Sequence, residues 1–335
     1  MVDMAYLRSN FVVRLLFASF LFLLPAAVFV AGFHHEDRME ECANVHPKAA
    51  KFKYKIAIAF FGLSRNLTST LPSIEHHVYQ PLWKNNIAYD VFWHTLVTRR
   101  VHLSREPEDG YIDPFDVETM NPCIFSLSNQ ESVRSREFKL FAAARNMSVD
   151  KIIQHKQFDN WNDGYISVHN ILSAYYTQAD LAHMISVHAQ LLKRTYDAIL
   201  VLRPDTAIMR DIDLPQKLPD ILAHPDWLWV PDFQHWGGYN DRAAFGSYRV
   251  MLKYLNRGAE FRDSPHTTSG ERMLKYLESR QYWTVQMSNM RVLRIRQNGC
   301  LAMRDTPSNL NITMPDKDFI RCIPNMHTKR LSRNC

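Results

Sequence analysis

Apolar and polar positions fall along this chain in short blocks. Ala198–Leu202 is an uninterrupted apolar run, too short for a helix and of the kind buried in a sheet covered on both faces. Arg203, Pro204 and Asp205 break it abruptly. Tyr54–Phe61, Ala88–Trp93, Trp227–Pro231, Trp283–Met287 and Arg291–Ile295 read as further strands. Helical spacing covers Leu71–Leu82, Glu131–Arg145, Leu214–Leu222 and Ser247–Asn256, and also Ser167–Arg194, read as two helices broken near Thr177. Thr268-Ser269-Gly270-Glu271 opens one more helix with the spacing of a capping box, in which Glu271 reaches back to a backbone amide. Arg99–Asp116 is polar and reads as loop, and Asn298-Gly299 as a turn. Strands interleaved with helices predict an α/β fold with a Rossmann-type, mixed but mostly parallel sheet.

Ahead of that pattern, Leu15–Phe33 contains one polar residue, Ser19, over a length that crosses a hydrocarbon core of about 30 Å. Arg8 and Arg14 precede it and Glu36, Asp37, Glu40 and Glu41 follow, so the positive-inside rule leaves the N-terminus in the cytoplasm. The expected organisation is a cytoplasmic N-terminus (1–10), a transmembrane signal anchor (11–33), a stem (34–50), an α/β domain (51–300) and a basic C-terminal extension (301–335). A cleaved signal peptide is the competing reading, with Ala31 and Gly32 near the cut. Either reading places the domain in the lumen of the secretory pathway; the anchor reading, which is the expectation adopted, makes the chain a single-pass type II protein held in a Golgi or endoplasmic reticulum membrane. Sequons at Asn66, Asn146 and Asn311 agree with that compartment. So do the five cysteines, Cys42, Cys123, Cys300, Cys322 and Cys335, of which Cys300 with Cys322 is the pairing expected.

The formal net charge of +6 is concentrated after Ser288, where nine Lys or Arg face three Asp. Such a tail suits anionic substrates or membrane surfaces; a lumenal position and the lack of a zinc-finger or RNP-type motif argue against nucleic acid. No G-x-S-x-G or H-E-x-x-H points to a hydrolase. His169, His183 and His188 lack the i, i+4 spacing of a helical zinc site.

The candidate chemistry sits where strands end, since ligands of open α/β sheets bind beyond the carboxyl ends of their strands. Gly62 and Arg65 follow the first strand in a loop suited to a nucleotide's phosphates. Arg203 and Asp205 follow the central one, where a surface salt bridge is the plainer alternative. His94 ends the second strand, as a ligand donor or a structural histidine. Phe233–Ser247 mixes glycine, aromatic and charged residues as no amphipathic element does. In it Gly237 and Gly238 permit close backbone approach, Trp236 and Tyr239 offer faces to a sugar, and Asp241 with Arg242 can bind hydroxyls or phosphate. Asp232 and Glu271 are the carboxylates available to remove a proton from an acceptor, with Asp241 a third acidic group beside them. The aromatic residues near Trp161 read as packing material.

FFGLSRN (Phe60–Asn66), YDVFWHT (Tyr89–Thr95), YDAILVLRPDTAI (Tyr196–Ile208), GGYNDRAAFGS (Gly237–Ser247) and SGERMLKYL (Ser269–Leu277), in that order, resemble membrane-anchored glycosyltransferases with a GT-A-like, nucleotide-sugar-binding domain. The resemblance spans roughly Tyr54–Gly299 and implies transfer of a sugar from a nucleotide sugar to a hydroxyl of a glycan or glycoprotein. It departs at one place: GT-A enzymes carry Asp-x-Asp where this chain has Arg203-Pro204-Asp205. Either Asp205 anchors Mn²⁺ or Mg²⁺ with help from another carboxylate, which is the expectation adopted, or Arg203 replaces the metal against the diphosphate. The missing first Asp also leaves open a lumenal protein that binds carbohydrate or nucleotide sugar without catalysing transfer.

Overall fold

The computed structural model describes residues 52–98, 112, 116–156, 158–159, 161–193, 195–264 and 269–295. The anchor, the stem, nearly all of 99–116, Asn298-Gly299, Asn311 and the C-terminal extension lie outside them. Among the described residues no helix is long and apolar enough to cross a membrane.

In chain order the elements are β1 (Tyr54–Phe61), α1 (Leu67–Ile74), a π-helical turn (Glu75–Tyr79), α2 (Gln80–Lys84), β2 (Ile87–Val97), α3 (Asp116–Thr119), β3 (Ile124–Asn129), α4 (Gln130–Ala143), α5 (Val149–Gln154) and α6 (Ile166–Leu191). They continue with β4 (Ala198–Leu202), β5 (Thr206–Ile208), α7 (Leu214–Ala223), β6 (Trp227–Pro231), β7 (Ala243–Ser247), α8 (Tyr248–Leu255), α9 (Gly258–Asp263), α10 (Gly270–Ser279), β8 (Thr284–Ser288) and β9 (Val292–Arg294). Seven strands form one sheet in the order β3-β2-β1-β4-β7-β6-β8, and β5 pairs antiparallel with β9 apart from it. Within the large sheet only β7 runs against its neighbours β4 and β6, so the expected mixed, mostly parallel sheet is present.

The two faces of the sheet follow from the period-2 alternation of β1. Ile56, Ile58 and Phe60 join Leu200 and Leu202 under α1, α2 and α7, burying Ile74, Leu82, Leu214, Leu218 and Ile221. Ala57, Ala59 and Phe61 join Ile199 and Val201 under the opposite layer, against Phe138, Phe141, Leu181, Ile185, Met251, Tyr254, Met273 and Leu274. The chain therefore makes a three-layer α/β/α sandwich with two cores.

Several expectations are corrected. Ser167–Arg194 does not break near Thr177: α6 is one helix of 26 residues. The Thr177 hydroxyl bonds back to the Ala174 carbonyl at 2.9 Å, so its polar group is satisfied without leaving the helix. The second strand runs on to Val97, which puts His94 inside it rather than at its end. β3 and β7 are strands beyond those expected: β3 is only six residues long with Ser126, Ser128 and Asn129 in it, and β7, AAFGS, is small residues around one Phe running straight into α8. Trp161 is exposed rather than packed in the core. Between α1 and α2 the helix widens into its π turn between Pro72 and Pro81, each of which removes an N–H from the ladder.

Candidate functional site

Sheet order reverses at β1. The chain steps outward to β2 and β3 on one side, then returns to place β4 on the other, and such a switch point opens a crevice at the carboxyl ends of the two central strands. The loops after β1 and β4 meet there, supplying Gly62, Arg65, Arg203 and Asp205. Gly62 donates to the His94 carbonyl at 3.1 Å and turns the chain off the strand at φ 88°. The pairing of β4, β7 and β6 sets the start of β7 and the end of β6 along the same edge, so Arg242 and Asp232 arrive there too.

Asp205 is 1 % exposed and organises the crevice. Its Oδ1 accepts from Arg203 Nε at 2.8 Å, and its Oδ2 accepts from Arg203 Nη2 at 2.7 Å and Arg65 Nη1 at 2.9 Å. Burial works against the Arg203 guanidinium, but the Asp205 carboxylate outweighs it and holds the arginine above its ordinary value. Arg294 is delivered by β9 opposite Thr206, while Ile295 N donates to the Asp205 carbonyl at 2.8 Å, and the Arg294 charge acts on Arg203. Two guanidinium groups thus share the Asp205 carboxylate, and the charges of Arg294 and Asp241 act on Arg203 from nearby.

That donor set does not fit a divalent cation at Asp205. Both carboxylate oxygens already accept from arginine, and the guanidinium charges of Arg65 and Arg203 repel a metal ion there. Among the described residues the one group with metal-ligand proximity is His76, His77 and Asp211, which excludes Asp205. The same arrangement suits an anion, because guanidinium forks match phosphate oxygens.

Across the crevice the loop after β6 interlocks with the start of α10. Tyr239 N donates to the Glu271 carbonyl at 2.9 Å. A Cβ on Gly238 would lie 1.8 Å from that carbonyl oxygen, and one on Gly270 would lie 1.7 Å from Asp241 Oδ2. Gly238 therefore serves packing of the loop on the helix rather than approach to a ligand. The Asp241 carboxylate rests on the first turn of α10, where the helix favours negative charge. The cap of that helix is Ser269, one residue later than expected: its Oγ accepts from Arg272 N at 3.3 Å and donates to Glu271 Oε2 at 2.7 Å. Glu271 accordingly does not play the capping-box part. Burial, and then the neighbouring Asp241 carboxylate, push its carboxyl up to about 7, while the Ser269 hydroxyl and Arg242 pull the other way. A carboxyl poised there can take a proton at neutral pH.

Other expected residues have different duties. His94 is fully buried, with Nε2 3.0 Å from Ser128 Oγ and Nδ1 2.8 Å from Asp180 Oδ2, the latter off the line a hydrogen bond needs. It is a structural histidine and not a sugar contact. Asp232 pairs with Arg291, which leaves Glu271 better placed as a proton acceptor. Tyr239 commits its hydroxyl to Glu278, so its ring is fixed as loop support. Trp236 is 47 % exposed. Arg242 donates to Gln234 Oε1 from its guanidinium and to Asn240 Oδ1 from its backbone N–H at 3.0 Å. Of the sequons, Asn146 is exposed, whereas Asn66 is half-buried and accepts from Ser69 Oγ at 2.6 Å. Cys123 is disulfide-bonded, and the other four cysteines, with the Cys300–Cys322 pairing, lie outside the described residues. Arg294 and Gly270 escaped the sequence reading: one stood among tail charges, and the other's closeness to Asp241 is visible only in three dimensions.

No family model matches the chain, and no curated protein matches it. Among solved structures it is similar to the apo form of mouse xyloside xylosyltransferase 1, at 7% identity and a TM-score of 0.35, over 70% of this chain and 84% of that one.

Proposed function

We propose that the chain is a glycosyltransferase of GT-A-like fold that moves a sugar from a nucleotide-sugar donor to a hydroxyl of a glycan or glycoprotein. The observation that carries this reading is the switch point at which Arg65 and Arg203 share Asp205, with the Asp241–Glu271 carboxylate pair close enough for Asp241 to act on Arg203. In this reading Arg65 and Arg203 bind the donor diphosphate, with Asp205 holding both guanidinium groups in place. The acceptor oxygen attacks the anomeric carbon, the bond from that carbon to the diphosphate oxygen breaks, and Glu271 takes the acceptor proton. The arginines stabilise the charge that builds on the leaving diphosphate, a role that Asp-x-Asp enzymes give to a metal. Asp241 and Arg242 orient the sugar or acceptor. We further infer a type II protein anchored by residues 11–33 in a Golgi or endoplasmic reticulum membrane, which the sequons and the disulfide at Cys123 support.

The test is release of nucleoside diphosphate from a panel of nucleotide sugars by the full-length protein, with and without EDTA. Release from one donor, undiminished by EDTA and rising with pH through about 7 as Glu271 loses its proton, is the expected result. Failure of every donor to bind or react would remove the assignment. The full engagement of Asp205 favours one rival, a binding protein without turnover, whose signature is donor binding with no diphosphate released.

A further inference from the structure

The π-helical turn carries two consecutive histidines whose role the crevice does not use. Successive side chains of an α-helix diverge by about 100°, and a π turn, closing its hydrogen bonds over one more residue, narrows that angle. His76 and His77 therefore lean to one side, with ring centroids 4.6 Å apart. Asp211 meets them from the connection between β5 and α7, its Oδ1 2.8 Å from His77 Nδ1. One ligand atom from each of the three residues lies within 4.8 Å of the others. Tetrahedral zinc needs its donors about 3.3 Å apart, which His77 and Asp211 nearly satisfy and which His76, an exposed side chain free to rotate, reaches by a small turn.

We propose that His76, His77 and Asp211 form a binding site for a divalent transition-metal ion, with water completing the coordination. Two imidazoles and a carboxylate suit zinc, copper or nickel and are a poor set for magnesium or calcium. The site would fasten a seam that the fold already laces. Thr70 Oγ1 donates to the Pro204 carbonyl at 2.7 Å, Ile208 N to Ser73 Oγ at 3.0 Å, and Ile212 N to the His77 carbonyl at 3.0 Å. Each bond ties the first helical segment to the connection that carries Asp205, and the metal would close the far end of the same seam.

Zn²⁺ titrated into the full-length protein tests this by calorimetry and thermal melting. Wild type is expected to bind one equivalent with a raised Tm. Asp211→Asn should bind it at least ~10-fold more weakly, and the double variant His76→Gln, His77→Gln should lose that equivalent and its Tm shift. His76 and Asp211 are exposed, so unchanged melting of the metal-free Asp211→Asn protein establishes that it folds. X-ray absorption of the zinc-loaded wild type should show imidazole scattering that the double variant lacks. Equal zinc affinity in wild type and variants, or no zinc bound by wild type, overturns the proposal. Neither result bears on diphosphate release, so the fate of this site is separable from that of the transferase reading.

Discussion

Both ends of the central strands carry buried charge, and the two ends are built differently. At the amino end Lys55 Nζ lies 2.6 Å from Asp90 Oδ2, which also accepts from the Tyr196 hydroxyl at 2.6 Å. That hydroxyl in turn meets His188 Nδ1 at 2.8 Å, and Lys55 N donates to Asp197 Oδ2 at 2.7 Å. One cation there stands between two carboxylates, Asp90 and Asp197, with Tyr196 and His188 linked to the first. At the carboxyl end two guanidinium groups, those of Arg65 and Arg203, share the Asp205 carboxylate, and two more carboxylates, Asp241 and Glu271, act on each other near Arg242. Both places are buried and polar, so burial does not tell them apart. The sign of the charge does: carboxylates outnumber the one cation at the amino end, while at the carboxyl end two arginines share Asp205 and suit a ligand of negative charge.

The sharpest way to break this comparison is to cut one ion pair at each end. Asp90→Asn leaves Lys55 buried without its anion and should cost about 3–5 kcal/mol of unfolding free energy, read as a lower urea midpoint, with turnover per folded molecule unchanged. Arg203→Ala should do the reverse. Its side chain is one quarter exposed, so the fold tolerates the loss, while diphosphate release should fall ~100- to 1000-fold, or about 3–4 kcal/mol of transition-state stabilisation. An Asp90 variant that lost activity at full stability, or an Arg203 variant that lost stability at full activity, would erase the distinction between the two ends.

The amino-end pair left no mark in the sequence, because Lys55 and Asp90 look like any polar residues at strand starts and meet only through the β1–β2 register. The carboxyl end was easier to read: Gly62, Arg65, Arg203 and Asp205 stand just past clear apolar runs, and the strand boundaries of Tyr54–Phe61, Ala198–Leu202 and Trp227–Pro231 match those observed. What misled was chemistry by analogy. Asp205 in the place of an Asp-x-Asp motif suggested a metal, but a loop 140 residues earlier in the chain brings Arg65 onto the same oxygen, and no local pattern announces that. His94 misled for a different reason, since β-branched and aromatic content cannot say where a long strand stops.

A finer distinction comes from Glu271, whose carboxyl stands at about 7 in the folded protein against 4.5 for the ordinary group. The folded state therefore holds a proton that the unfolded chain has lost between those values, and stability falls as pH rises through that window. Glu271→Gln abolishes this loss. At pH 8 the variant should unfold about 1–3 kcal/mol harder than wild type while losing turnover, the trade expected of a group kept for function at the expense of stability. If the variant is less stable at pH 8, the carboxylate belongs with the structural ion pair of the amino end and the crowding beside Asp241 is structural.

The smallest effect is expected at Trp236, and it tests where the functional end stops. Nearly half exposed, the indole contributes little to the core, so Trp236→Ala should change stability by no more than about 0.5 kcal/mol. If the indole carries a sugar ring, KM for the acceptor rises several-fold while kcat holds, because a contact equally strong in ground and transition states affects binding alone. A fall in kcat at constant KM would instead join Trp236 to the reacting groups, and the crevice would extend past Asp241 to the tip of the loop. No change in either constant would end the crevice at Asp241 and Arg242, with the tryptophan outside it.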